Sequence, residues 1–465
     1  MKSIFSHVIC LAVLLALQPL AEAGPVKDHA GRWLGDLKTP GGRTLRLGAE
    51  LFTRADGSAW ASVASPDQDA IDIPVTSIEE NGDTIELTLP FAALTLTWAK
   101  DHFKGVWKQG EAPLAFELRK VGDFPMKVRP QTPKAPFPYK NEALAISTAD
   151  GVTLGATLSI PHGVTRPNVV VLVAGSGPAT RDGHGDAHRP FAVLADHLAR
   201  RGIAVLRYDK RGVARSTGNF EKHTLADLID DLDGVVRTLK ARNEFNHLGL
   251  VGHSEGSPIA AAVAARHPES VGFVVSLAGV GLPGLDALVL QDWIWAKDRG
   301  ASPAEADWAM AYARKFYEVV LAHTEPGARV AALKALYDGL RPAEQDRIRK
   351  LEMNQGTLSL AWAQKPFLRA SLQADPSADW RAVRCPVLAL NGALDHQVPA
   401  KENLRGIVAA LNAGGNRRVE SDILPSLNHA FQTAVTGRED EYGKIDETLS
   451  PVALERIVQF AQQQR

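Results

Sequence analysis

The residues most able to do chemistry begin with Ser254, set in Gly252-His253-Ser254-Glu255-Gly256. Taken alone this pattern is a weak signal, because glycine and serine are common residues. Its setting strengthens it. The apolar run 248–251 predicts a strand that ends at the pentapeptide, and 257–266 predicts a helix that leaves it. A strand–turn–helix of this kind is a nucleophile elbow, which lifts a serine Oγ above a sheet. The turn brings strand and helix close together, so its neighbours must be small, and both glycines follow from that. The same turn aims backbone N–H groups of the helix start at a developing oxyanion.

A serine hydroxyl needs a base, and the base needs a partner that fixes its tautomer. Residues 386–390 predict a buried strand, and the turn Asn391-Gly392-Ala393-Leu394-Asp395 follows it. A second strand pattern at 418–424 leads into Asn428-His429. Asp395 is expected to hold the imidazole and His429 to take the proton of Ser254. His396 is the weaker base candidate, since a turn would point it elsewhere. The second oxyanion donor belongs on the loop after the strand 168–174, which reads Gly175-Ser176-Gly177-Pro178. The expected hole pairs the N–H of Ser176 with that of Glu255, with Gly177 as the alternative within the loop. This loop lacks the lysine and the glycine spacing of a phosphate cradle.

Two further clusters carry chemistry-bearing types. His184, Asp186 and His188 fall close together, but Gly183-His184-Gly185-Asp186 reads as a loop, and two histidines with one carboxylate off a helix make a poor zinc site. No metal is expected. Arg181, Asp182 and residues 207–211 are expected to form a polar network shaping the pocket rim.

The elements that must position these groups are legible from periodicity. Apolar runs at 168–174, 203–208, 248–251 and 271–276 alternate with helical patterns at 190–201, 225–239 and 257–266. Leu225, Leu228, Ile229, Leu232, Val235, Val236 and Leu239 share one face of a helix that Thr224 can cap. Such alternation implies an α/β class, a mostly parallel sheet covered on both faces. A hairpin about Asp150-Gly151 precedes it, and Ser450-Pro451 opens a C-terminal helix. Between 281 and about 374 the alternation stops. Ser302-Pro303-Ala304-Glu305 is a capping box, and 329–340 and 343–353 are helical, so a helical cap over the strand ends is expected. Its aromatics (Trp293, Trp295, Trp308, Phe316, Tyr317, Trp362 and Phe367) are expected mostly to form the cap's own core.

Prolines at 125, 130, 133, 136 and 138 mark 124–140 as an extended linker, leaving 141–465 for the catalytic unit. Residues 24–123 alternate in short runs between Gly turns, which predicts a small antiparallel β domain with Trp33, Trp60, Trp98 and Trp107 in its core. Residues 1–23 read as a cleaved export signal: Lys2, an apolar stretch from Val8 to Leu17, and Ala21-Glu22-Ala23 before Gly24. The stretch is shorter than the ~20 residues that span a bilayer. A periplasmic or extracellular location follows as the expectation, with no stable membrane insertion after cleavage. Cleavage would remove Cys10 and leave Cys385, so no internal disulfide is possible. With 52 basic against 53 acidic residues in 465, nothing points to nucleic acid as a partner.

Taken together, Gly175-Ser176-Gly177-Pro178, Arg207-Tyr208-Asp209-Lys210-Arg211-Gly212, the Ser254 pentapeptide, Asn391-Gly392 with Asp395, and Asn428-His429 resemble bacterial α/β-hydrolases of the EstD-like esterase group. They are also similar to serine-aminopeptidase-like hydrolases. The resemblance covers residues 140–465 and implies an eight-stranded sheet, a Ser254–Asp395–His429 triad, a helical cap and no cofactor. Val213-Ala214-Arg215-Ser216 and Ser257 depart from the pattern at positions where glycine is frequent. The expected activity is cleavage of small-molecule carboxylic esters with small or medium apolar acyl groups through an acyl-enzyme on Ser254. The same triad would serve a peptidase, for which Glu305, Asp307 and Glu318 could bind a free amine, or an acyltransferase.

Overall fold

The computed structural model describes residues 24–464 apart from 111, 184, 186 and 355. The export signal lies outside the described residues. Among those described, strands form a nine-stranded and an eight-stranded sheet.

The first sheet comprises β1 (Gly31–Lys38), β2 (Thr44–Thr53), β3 (Ala59–Ser65), β4 (Ala70–Pro74), β5 (Ser77–Asn81), β6 (Thr84–Thr88), β7 (Ala93–Ala99), β8 (His102–Lys108) and β9 (Pro113–Val121). All its pairings are antiparallel, in the order β4-β3-β2-β1-β9-β8-β7-β6-β5. The period of two explains which face is buried: Ile85 and Leu87 point inward from β6 while Glu86 and Thr88 face water. Trp33, Leu51, Val63, Leu96 and Phe103 complete one core. Trp33, Trp60 and Trp107 are buried, and Trp98 stacks on His29 at 3.7 Å. With nine strands, the unit is larger than the small sheet expected from the sequence.

The second sheet comprises β10 (Tyr139–Ser147), β11 (Thr153–Pro161), β12 (Val169–Val173), β13 (Ala204–Tyr208), β14 (Leu248–His253), β15 (Val271–Leu277), β16 (Val387–Gly392) and β17 (Val419–Leu424). Their order is β10-β11-β13-β12-β14-β15-β16-β17, antiparallel as far as β13 and parallel beyond. Val169, Val171 and Val173 face a cluster built with Leu232 and Val235 of helix Leu225–Arg242, Ile259 of helix Gly256–Arg266 and Ile407 of helix Ala400–Ala413. Val170 and Leu172 face the opposite cluster, with Leu194 and Leu198 of helix Pro190–Ala199 and Ile457 and Phe460 of helix Pro451–Gln463. Each fully buried aliphatic side chain contributes about 1.5–3 kcal/mol of transfer free energy. Burial on both faces is why these strands read as unbroken apolar runs. The strand order reverses at β12, between β13 and β14, and ligands bind at the carboxyl ends flanking such a switch.

Between β15 and β16 the chain is helical: Gly284–Asp298, Pro303–Ala322, Pro326–Asp338, Pro342–Lys350, Leu360–Ala363 and Pro366–Gln373, followed by Ser377–Ala382. Ser302 and Glu305 form the reciprocal cap, with Glu305 N donating to Ser302 Oγ at 3.3 Å and Ser302 N to Glu305 Oε2 at 2.9 Å. Phe316 and Tyr317 lie in this segment's own core, whereas Trp295, Trp362 and Phe367 line a cavity against the sheet.

The proline-rich stretch is laced to the end of the chain instead of standing free. The Arg129 guanidinium, 1% exposed, donates to Gly443 O at 2.8 Å and Ile445 O at 2.9 Å. Gln131 Nε2 donates to Leu449 O at 2.7 Å, and its Oε1 accepts from Thr448 N at 2.6 Å. β10 begins at Tyr139, inside the stretch expected to be linker.

Candidate active site

Ser254 lies between β14 and helix Gly256–Arg266 with φ of +53°, the left-handed region that a non-glycine residue rarely occupies. The surroundings over-determine that strain. A Cβ at Gly252 would meet Gly256 O at 2.3 Å, and one at Gly256 would meet Val173 O at 2.2 Å. Ser257 is accommodated by a buried hydroxyl pair, its Oγ 2.6 Å from Ser276 Oγ.

The acid and the histidine are held by stitched loops. The end of β16 joins the loop after β17 through Ala393 N to Leu424 O and Leu394 N to Leu427 O, both at 2.9 Å. A Cβ at Gly392 would meet Leu427 O at 2.1 Å, so only glycine lets the two loops approach this closely. Asn391 Nδ2 donates to Val398 O at 2.9 Å. Asn428 Oδ1 accepts from Gln432 N at 2.9 Å, closing the turn that carries His429. Asp395 is 4% exposed; its Oδ1 accepts from Gln397 N at 2.9 Å and Val398 N at 2.8 Å. Its Oδ2 stands 2.8 Å from His429 Nδ1. A carboxylate there requires Nδ1–H, which leaves Nε2 of His429 as the basic nitrogen. His396 points away, its Nδ1 2.9 Å from Asp298 Oδ2.

Ser254, His429, Ser176 and Glu255 all line one cavity of about 610 Å³, whereas Gly177 is outside its lining and turns at φ +90°. That volume falls within the range of about 300–1,000 Å³ typical of small-molecule sites. The lining is mostly apolar, with Ile229, Ile259, Leu288 and Phe367, and it also includes the acids Asp375, Asp379 and Glu439.

Some contributors were not singled out from the sequence. His253 Nε2 donates to His429 O at 2.9 Å, and burial, then the His429 charge, push its pKa down to about 4. It is therefore a neutral donor that fixes the backbone of its neighbour. Its signal was its place beside Ser254. The polar network expected at the rim is largely buried: Arg181 pairs with Asp209 (Nη2–Oδ2 2.6 Å), Arg207 with Asp182, and Arg211 with Asp231 (2.7 and 2.8 Å). His188 is occupied by Thr448 Oγ1 at 2.8 Å, and His184 and Asp186 lie outside the described residues. Among the described residues no group of three or more His, Cys, Asp or Glu could hold a metal ion, and no helix is long and apolar enough to cross a membrane.

The sheet order and the elbow at its switch point are those of an α/β-hydrolase. The chain belongs to the serine aminopeptidase (S33) hydrolase family, whose model matches residues 179–433, more than half of its length. Among curated relatives it is 32% identical to Esterase EstD of Thermotoga maritima over 113 residues, which is 24% of this chain and 27% of that protein. It is 35% identical to an acyl transferase of Photobacterium leiognathi over 117 residues, covering 25% of this chain and 34% of the relative. The chain thus spans between about a quarter and a third of the length of these two relatives. Among solved structures, ferulic acid-bound Est1E of Butyrivibrio proteoclasticus aligns at 16% identity and TM-score 0.42, covering 69% of this chain and 99% of that one. A Pyrococcus furiosus esterase aligns at 16% identity and TM-score 0.41, over 70% and 92%.

Proposed function

We propose that the protein hydrolyses carboxylic esters bearing small or medium apolar acyl groups, through an acyl-enzyme on Ser254. The observation that carries this reading is the strained Ser254, facing the same apolar cavity as a histidine whose Nδ1 is committed to Asp395. In this reading Nε2 of His429 takes the Ser254 proton as Oγ attacks the ester carbonyl. The N–H groups of Ser176 and Glu255 receive the oxyanion. His429 returns the proton to the departing alcohol, and water repeats the sequence on the acyl-enzyme. The relative named as an esterase is consistent with it. We further propose that residues 1–23 direct export and are removed; mass spectrometry of the mature chain should then begin at Gly24.

A peptidase is the second reading, because carboxylates at positions 375, 379 and 439 border the cavity and could meet a free amine. None of the three acids expected to do so from the sequence lines the cavity: Glu305 caps its helix, Asp307 Oδ1 accepts from Trp293 Nε1 at 2.9 Å, and Glu318 is exposed. The deciding experiment gives wild type and Ser254→Ala a p-nitrophenyl ester series and aminoacyl-nitroanilides. Ester turnover confined to wild type supports the proposal. Faster amide turnover favours the peptidase, and turnover surviving in the pure variant rules out Ser254 as nucleophile.

A further inference from the structure

Lys210 is 4% exposed, and its ammonium sits where both halves of the expected oxyanion hole converge. Nζ donates to Gly175 O at 2.5 Å and to Glu255 Oε2 at 3.3 Å. The Gly175 carbonyl and the Ser176 N–H belong to one planar trans peptide, in which C=O and N–H point in opposite directions. Holding the carbonyl toward Lys210 therefore fixes the direction of the Ser176 N–H. The second bond ties down the side chain of Glu255, whose backbone supplies the other N–H. The loop is also pressed against the elbow, since a Cβ at Gly175 would come within 3.0 Å of Ser254 Cβ.

The loop that carries Lys210 is gripped from the nine-stranded sheet. Arg54, just beyond β2, donates from Nη2 to Gly212 O at 2.8 Å and from Nε to Ala214 O at 3.0 Å. The Arg215 guanidinium lies 3.9 Å from the centre of the Phe52 ring, which itself stacks on Trp60 at 4.5 Å. From within, Asp209 accepts from Arg181 N at 2.7 Å and Arg215 N at 3.2 Å, and Lys210 N donates to Ala179 O at 3.1 Å.

We infer that Lys210 is a positioning residue for the oxyanion hole, and that the N-terminal sheet, through Arg54, holds the loop that aims it. The inference rests on the serine-hydrolase reading above. Preorganised donors matter in proportion to how well they are held before the reaction, because charge develops faster than loops can reorganise. An ammonium that braces both donors without touching the substrate should therefore stabilise the tetrahedral state more than the bound ester.

The test compares wild type, Lys210→Met and Arg54→Met. Fluorophosphonate labelling of wild type is scored first: absence of an adduct on Ser254 overturns the underlying hydrolase reading. Each protein then receives a p-nitrophenyl ester, a trifluoromethyl ketone that forms a tetrahedral adduct, and the isosteric ether, which has no carbonyl. In Lys210→Met, kcat should fall about 10²-fold, as when an oxyanion donor is lost. KM and ether affinity should hold, and ketone affinity should fall in parallel with kcat. Arg54→Met should shift the same two quantities, by roughly 2- to 30-fold. With wild type labelled, a Lys210→Met enzyme of undiminished kcat overturns the inference, as does equal weakening of ether and ketone. Should Lys210→Met fail to fold, Arg54→Met decides: unchanged ketone affinity there overturns the inference as well.

Discussion

His253 shows two demands meeting on one side chain. It flanks the elbow serine and also donates its Nε2–H to the carbonyl of His429, and burial keeps the ring uncharged although that bond favours the charged form. An unfolded imidazole takes up a proton near pH 6.5, while the native one does so only near about 4. Between those values the unfolded chain binds more protons, so this contribution to stability is complete above pH 6.5 and drains away as pH falls toward 4. His253→Gln keeps an N–H donor but cannot titrate. Its urea midpoint should lose less than wild type between pH 7 and 4.5, and an equal loss would remove His253 from the acid response. Asp395 is argued at the same scale. Asp395→Asn preserves shape but lets Nδ1 of His429 lose its hydrogen, and kcat should drop about 10⁴-fold with little change in KM. Steady-state ester kinetics on the folded variant measure this, and a loss of less than tenfold would contradict the tautomer argument.

Elements set what those residues can do, and their tightest constraint is the elbow. Gly256→Ala places a methyl 2.2 Å from Val173 O, a backbone atom that cannot swing aside. The variant should lose about 3 kcal/mol or more in urea unfolding, beyond the usual cost of overpacking a core. A second element-scale constraint lies in the helical insertion. Asp292 of helix Gly284–Asp298 is buried and accepts from Tyr317 Oη at 2.5 Å. Burial pushes its pKa up to about 7, against the hydrogen bond that favours ionisation. The native state then keeps a proton that the unfolded carboxyl has released. This contribution is whole at pH 4 and is lost as pH rises through about 7. Asp292→Asn should accordingly melt above wild type at pH 8 and close to it at pH 4, by differential scanning fluorimetry. What was legible at this scale was what repeats: the valines of β12, the face of Leu225–Arg242 and the caps at Thr224 and Ser302 all announce their elements within a few residues. Lys210 and Gly392 owe their places to contacts with residues 35 positions away (Gly175 and Leu427), and no local period encodes that distance. The nine-stranded extent of the first sheet was obscured for a related reason. Alternation marks each strand singly, and the pairing that sets their number lies between residues far apart in the chain, as where Arg32 of β1 pairs with Val121 of β9.

The whole molecule is two sheets joined at a few well-made points. One is the Arg54 grip; another is Arg129, which fills its guanidinium with carbonyls of the C-terminal segment. Arg129→Met takes a donor from the partly buried Gly443 carbonyl, at about 1 kcal/mol, while Ile445 O keeps its bond from His188 Nε2 at 3.1 Å. The variant should unfold earlier in urea and be cut faster by trypsin after Lys444; unchanged digestion would show that the segment is held by other means. The same lacing has a consequence for how the protein is made. Arg129 and Ile445 are 316 positions apart. At a synthesis rate of roughly 5–20 residues per second, the proline-rich stretch leaves the ribosome about 15–60 s before its partners exist. Until then a cation destined for a dry site stays in water, and a chain released short of residue 443 never closes it. The closed stitch thereby records in the fold itself that synthesis has passed residue 445.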